Sequence, residues 1–533
     1  MKKVFILAMM FVIGFSTAYA ETGDDALGVA YKSGEITKNT YVIERLKSVL
    51  SQDNVNPLYR RTESDEVTNP VRDFTLLLRY ALINIDSFSP EDQEIIRMFQ
   101  KRPTDATNTS DTFGGGWHLP ADATSTTAAA GKYRIHYTTT TTADSGGNVH
   151  QTQESFVTSL KTVIDTVYAS EITTMGYSLP PDDGNAEFDI YIMNCGSAAI
   201  YGYVAVDDID APVGDGNEYT SFMVIDNDFS EFQNTPIDSM RVTFAHEFHH
   251  AIQNGINGLA SAWYYETTAT WIEEQVYDSI NDNRQYLSSF FNNPERSLDT
   301  TDPNETYQYS TWLFNEYLAS KWTPEIIKDI WTALDPDGSY VPLDAVMSVI
   351  VAKGSTCKDT FTDFVAENYS KSIYSESADD STVYASVKFH ESISMTNAES
   401  TTAASTTIDH LASKYIKITP SSSETATLTI TINGADSKDL NAVAIVNNSG
   451  TYSKHSITLD STTNEGSVAI ADFSSSNMTE VVLALVNYSK AQDSSEITFS
   501  AVSGQSPVTQ GSSSNSSGGS SSGCFIDMAG FLN

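Results

Sequence analysis

The stretch Thr243-Phe244-Ala245-His246-Glu247-Phe248-His249-His250-Ala251-Ile252-Gln253 decides how this chain is read. It contains H-E-x-x-H at 246–250. On a helix, His246 and His250 stand at i and i+4, so both imidazoles leave the same face one turn apart. That spacing lets both bind one zinc ion at about 2.0–2.1 Å. Glu247 lies beside them and can reach a metal-activated water as general base. His249 points away from that face and reads as structural or substrate-facing. The surrounding pattern predicts a helix over 242–254 closed by Gly255 as C-cap. Two strands precede it, at 188–193 and 221–225.

Catalytic zinc needs three protein ligands and an open position. The metzincin pattern would put Gly at 253 and His at 256, where this chain has Gln253 and Ile256. The other solution is a Glu on a following helix. Trp263-Tyr264-Tyr265-Glu266-Thr267-Thr268-Ala269-Thr270-Trp271-Ile272-Glu273-Glu274 fits it. Glu266 follows His250 at a distance that allows a loop and the start of an antiparallel helix. Glu273 is i+7 from Glu266 and shares its face. It is the rival ligand, or an acceptor for the outer nitrogen of a ligand His.

The run His246-Glu247-Phe248-His249-His250-Ala251-Ile252-Gln253, with Trp263, Glu266, Ala269, Trp271 and Glu273 after it, resembles a bacterial family of secreted zinc metalloproteases. That family carries H-E-x-x-H-x-x-Q and W-x-x-E-x-x-A-x-W and belongs with the gluzincins, the thermolysin-like class. Tyr133–Tyr137 and Phe188–Ile192 look like its upstream strands, and the likeness covers roughly 115–375. The resemblance implies a zincin-like catalytic domain, with a mixed sheet, an active-site helix and a helical C-terminal subdomain. It implies one catalytic Zn2+ held by His246, His250 and Glu266, with Glu247 as general base for hydrolysis of protein or peptide substrates. Tyr307 and Tyr309 are candidates for stabilising the tetrahedral oxyanion, as is a downstream His. The chain departs from the thermolysin pattern N-E-x-x-S-D, having Tyr265 and Thr270 at the Asn and Asp positions.

The rest of the chain sets the frame. Its 533 residues exceed one ordinary domain, and 40% hydrophobic content is enough for several cores. The formal charge of −39 repels phosphate backbones, which argues against nucleic acid and anionic membranes as partners. Lys2 and Lys3, the apolar run Val4–Phe15 and Ala18-Tyr19-Ala20 form a secretory signal peptide over 1–20. No later stretch is long and apolar enough to span a bilayer. Three cysteines, Cys195, Cys357 and Cys524, exclude a disulfide scaffold.

The expected organisation is multidomain α+β. A helical region over 21–112 is a propeptide or an accessory domain, with a polar linker over 101–116. The catalytic domain covers 113–392, a Ser/Thr/Ala-rich linker 393–408, and a small β-sandwich of about six strands 409–502. A Gly/Ser-rich tail, 503–533, carries Cys524 and is a candidate for cell-surface attachment. The acidic runs Asp207-Asp208-Ile209-Asp210 and Asp226-Asn227-Asp228 read as solvated loops, with a Ca2+ site as the alternative. The competing function is a non-catalytic surface binding or adhesion protein that retains a zinc site. An intact Glu247 weighs against it.

Overall fold

A computed structural model describes residues 25–60, 74–105, 107–110, 115–198, 200–213, 216–232, 234–334, 342–374, 386–434 and 439–504. The signal-peptide stretch and Cys524 lie outside them. Four helices come first: α1 (Ala26–Lys32), α2 (Lys38–Leu50), α3 (Phe74–Ile83) and α4 (Pro90–Met98). A two-stranded ribbon, β1 (Thr109–Ser110) and β2 (Gly115–Gly116), leads into β3 (Thr124–Ala128), β4 (Tyr133–Tyr137), β5 (Phe188–Met193), β6 (Gly202–Val206) and β7 (Ser221–Asp226). The last five form one mixed sheet in the order β3-β4-β5-β7-β6. β4, β5 and β7 run parallel, while β3 and β6 pair antiparallel at the two edges.

This sheet is buried on both faces, so its central strands are almost continuously apolar. Ile190, Ile192, Met223 and Ile225 face a core shared with helix α5 (Glu154–Val167) and the site helices. Tyr191, Met193, Phe222 and Val224 face the opposite way, into a core shared with Tyr41, Leu46, Phe74, Leu77 and Ile96 of the N-terminal helices. Residues 25–60 and 74–98 are therefore a layer of the same body, neither a free accessory domain nor a loosely tethered one. At the start of the polar stretch expected to be a linker, Arg102 is pinned to the sheet. Arg102 pairs with Asp183 at 2.7 Å, with Asp207 at 2.9 Å and with Asp189.

Helix α6 (Pro236–Asn257) is longer than its expected span. Thr235 caps it by accepting from the Asp238 N–H, with Pro236 in the first turn where no backbone donor is missed. Its C-cap is Gly258, not Gly255. Gly255 lies inside the helix, where a Cβ would come within 2.6 Å of Pro181 Cδ, so the position suits a residue without one. Helix α7 (Ala262–Tyr277) packs back on α6 after a short turn. Short helices α8 (Leu287–Phe291) and α9 (Tyr307–Ser310) follow, then α10 (Trp312–Lys321), α11 (Glu325–Thr332), α12 (Pro342–Ala352) and α13 (Cys357–Ser370).

The remaining described strands are β8 (Phe389–Met395), β9 (Glu399–Ser400), β10 (Ala404–Ile408), β11 (Ala412–Pro420), β12 (Ala426–Asn433), β13 (Leu440–Asn448), β14 (Thr451–Ile457), β15 (Glu465–Phe473), β16 (Glu480–Asn487) and β17 (Ser495–Gly504). They form two five-stranded sheets around one core. The expected linker at 393–408 is corrected. It supplies β9, β10 and the end of β8, which pair with β17 and β11. Ser and Thr there serve as half-exposed edge-strand residues, a use that composition does not separate from a linker. The sandwich also shares a core with the helices. On β13 and β16, Val443, Ile445, Val482, Ala484 and Val486 face the helical region. Ala442, Ala444, Val481, Leu483 and Leu485 face the sandwich interior. Cys195 is buried and Cys357 half-buried, and neither is in a disulfide.

Candidate metal centre

The i, i+4 spacing on α6 brings His246 and His250 side by side, their Nε2 atoms 3.0 Å apart. Glu266, in the second turn of α7, places Oε2 3.5 Å from His246 Nε2 and 3.6 Å from His250 Nε2. Donors at about 2.0–2.1 Å around a tetrahedral ion stand about 3.3 Å apart, so these three edges fit one ion. All three residues are buried.

The outer nitrogens fix the tautomers. His246 Nδ1 lies 2.7 Å from Glu273 Oε1, and His250 Nδ1 lies 2.7 Å from Gln253 Oε1. A carboxylate and an amide oxygen only accept, so both Nδ1 atoms carry hydrogen and both Nε2 lone pairs face inward. Gln253 has no freedom to flip. Its Nε2 donates to the Tyr265 carbonyl at 2.9 Å and to Thr268 Oγ1 at 2.8 Å, while the Thr268 hydroxyl donates to the Tyr264 carbonyl. Three electron-pair donors, one of them anionic, therefore converge in a buried space. An uncompensated buried carboxylate costs several kcal/mol. The donor set fits a divalent cation of the zinc type, and zinc's preference for imidazole and carboxylate matches it.

Of the sequence-predicted residues, the structure brings together His246, His250 and Glu266, with Glu273 as the hydrogen-bond acceptor behind His246. Glu247 is also buried, and its Oε2 accepts from Thr75 Oγ1 of α3 at 2.8 Å. His249 turns away, as expected. Its Nδ1 lies 2.9 Å from Glu171 Oε2 and its ring stands edge-on to Tyr177. Burial pushes the Glu171 carboxyl well up and the His249 imidazole well down, so both favour their neutral forms.

Tyr307 is buried on α9. Its hydroxyl donates to the Arg296 carbonyl at 3.0 Å, and burial holds its pKa far above the ordinary value. Tyr309, two residues along α9, packs its ring on Tyr286. Helix α9 lies against α7, the helix that carries Glu266. In the acidic runs, Asp207 is held by Arg102. Asp226 approaches Asp228 and Glu231, but its carboxylate accepts four backbone N–H groups, from Cys195, Gly196, Asp228 and Phe229. Burial raises its pKa to about 6, and those donors oppose the rise. Asp226, Asp228 and Glu231 nevertheless bring one carboxylate oxygen each within 4.8 Å of one another, an arrangement that could hold a metal ion, so the Ca2+ alternative for this run stands.

Two residues of the site were not singled out from sequence as working parts. Gln253 stands in the H-E-x-x-H-x-x-Q motif and departs from the metzincin pattern, but the sequence reading gives it no role, although its position at i+3 from His250 was the available signal. Thr75 carried no signal, being distant in sequence and without a motif.

A family of unknown function, DUF6055, matches residues 230–449, a span that includes the whole metal centre. No curated protein matches the chain. Among solved structures, the pre-peptidase C-terminal domain of a collagenase from Bacillus anthracis is similar at 9% identity. The match covers 22% of this chain and 96% of that one, with a TM-score of 0.16. A family GH115 4-O-methyl-α-glucuronidase, BtGH115A, with specificity for decorated arabinogalactans, is similar at 8% identity with a TM-score of 0.13. That match covers 62% of this chain, which spans about half the length of the glucuronidase. Neither likeness is close enough to carry a functional argument. Among the described residues no helix is long and apolar enough to cross a membrane.

Proposed function

We propose that the chain is an exported zinc-dependent endopeptidase of the gluzincin type, with a zincin-like domain built on the mixed sheet and α6–α7. The observation that carries this reading is the convergence of His246 Nε2, His250 Nε2 and Glu266 Oε2, with both Nδ1 atoms held by acceptors. A zinc ion bound there supplies Lewis acidity, polarising a peptide carbonyl and lowering the pKa of a water molecule. Glu247 takes the proton of the attacking water and hands it to the leaving amine. Glu273 and Gln253 keep the imidazoles oriented and basic. Tyr307 and Tyr309 are the candidates for a hydrogen bond to the oxyanion.

The substrates are proteins or peptides. Export follows from the leader over 1–20, and the tail with Cys524 offers a route to surface attachment. The test pairs zinc content with casein hydrolysis, with and without a chelator, in the parent and in Glu247→Gln. The substitution removes the base and leaves every ligand in place. Zinc stoichiometry is expected to stay at one per chain while hydrolysis falls by about three orders of magnitude or more. Hydrolysis within tenfold of the parent would remove Glu247 from this role.

The second reading is a non-catalytic surface binding or adhesion protein with a retained zinc site. The sandwich of β8–β17 and the complete burial of the three ligands favour it. A zinc-loaded chain that hydrolyses no peptide in any form would select it.

A further inference from the structure

In this structure a peptide cannot reach the site. His246 is 2% exposed, Glu247 1%, and His250 and Glu266 0%. The element lying on the base is α3, from the N-terminal layer. Its Thr75 hydroxyl accepts from the Val204 N–H at 2.9 Å and lies 2.8 Å from Glu247 Oε2. A backbone N–H only donates, so the Thr75 O–H must point at Glu247. Four residues on, Arg79 donates from Nε to the Gly258 carbonyl at 3.0 Å and also to the Ala260 carbonyl. These carbonyls belong to the turn between α6 and α7. The Arg79 guanidinium sits 4.7 Å above the Tyr265 ring, which in turn stacks on His250 at 4.3 Å.

Val204 lies in β6, which among the described residues is an edge strand paired with β7 alone. A free edge beside a hydrolytic centre is a template for an extended peptide. Here α3 lies against that edge, and a side-chain hydroxyl meets a backbone donor that a substrate strand would use. Phe74 and Leu77 are buried beside Tyr203 and Phe222, so the same helix is also anchored by apolar packing.

Resting on the peptidase reading, we propose that α3 is an autoinhibitory plug. Thr75 holds the general base and the edge strand, Arg79 clamps the α6–α7 turn, and the chain stays latent until α3 is displaced.

The test uses the full chain loaded with zinc, and the variants Thr75→Val, Arg79→Ala and the two combined. Each removes a polar pin and leaves the apolar face of α3 in place. Melting curves report whether each variant folds. One readout is the rate at which a strong chelator strips the zinc. The other is casein hydrolysis. Losing a hydrogen bond to a charged group shifts an opening equilibrium by about tenfold or more, so stripping should speed up by that factor and hydrolysis should rise with it. Stripping at the parental rate in all three variants would overturn the plug. Hydrolysis that falls below a measurable parental rate would also overturn it, because Thr75 would then orient Glu247 for catalysis. Faster stripping with no hydrolysis in parent or variant would keep the closure and sink the peptidase reading. The two failures are thus distinguishable.

Discussion

Glu266 and Glu273, seven residues apart on one face of α7, approach His246 from opposite edges of its ring. Glu266 Oε2 lies 3.5 Å from Nε2, and Glu273 Oε1 lies 2.7 Å from Nδ1. One histidine thus assigns two acidic residues to different tasks. Two helical turns, about 10 Å of rise, separate them, and the imidazole spans the gap.

The consequence for zinc is measurable. Glu266→Ala removes one of three ligand atoms and is expected to leave the protein zinc-free after dialysis. Glu273→Ala leaves the ligand set intact and frees His246 Nδ1. Its affinity should fall by about 10–100-fold, the usual effect of losing a ligand's supporting partner. Metal stoichiometry and competition with a chelator separate the two. A zinc-free Glu273→Ala beside a loaded Glu266→Ala would reverse the assignment.

Gln253→Ala removes the acceptor from His250 Nδ1 and takes one donor from the Tyr265 carbonyl and one from Thr268 Oγ1, which keeps the Trp331 indole N–H at 3.2 Å. Zinc affinity should drop by about 10–100-fold. Gln253→Glu restores an acceptor for Nδ1 but supplies no donor to Tyr265. It should recover more affinity than stability, read by chelator competition and thermal melting on the same sample.

Deleting residues from 389 onward would uncover the helical face now covered by Val443, Ile445, Val482 and Val486. It would also remove the Tyr415 hydroxyl from the Val365 carbonyl and the Leu411 carbonyl from the Leu298 N–H. The expected product is insoluble or melts without cooperativity. A soluble, zinc-loaded fragment with a sharp transition would show that this shared core is dispensable.

His410 joins the sandwich to the helical region, with Nδ1 2.5 Å from Asp493 and Nε2 3.0 Å from Asp299. Burial works against its charged form, but the two carboxylates outweigh it and raise the pKa above 6.5. A raised folded-state pKa means the folded chain holds the proton more tightly. The stabilisation is therefore complete below about pH 6.5 and is lost as pH rises through the folded value. His410→Gln should lower the melting temperature most in mildly acidic buffer and least in alkaline buffer. A difference that is flat with pH would exclude the ion pair as its source.

By itself the sequence determined the centre of the site. The helical period is set within a few residues of chain, so H-E-x-x-H already implied two imidazoles on one face, and the next helix offered two glutamates one face-repeat apart. The alternation of Leu428, Ile430 and Ile432 with Thr likewise marked a strand with one buried face. Tertiary structure alone decided which glutamate meets Nε2 and which meets Nδ1, because that depends on the crossing of α6 and α7. It also decided that Ser/Thr-rich 393–408 contributes β9 and β10, since their edge pairing comes from partners about a hundred residues away in β17. The contact of Thr75 with Glu247, across 172 residues, was invisible in the same way. Local periodicity tells which face of an element is apolar. Only packing of the whole chain tells what that face meets.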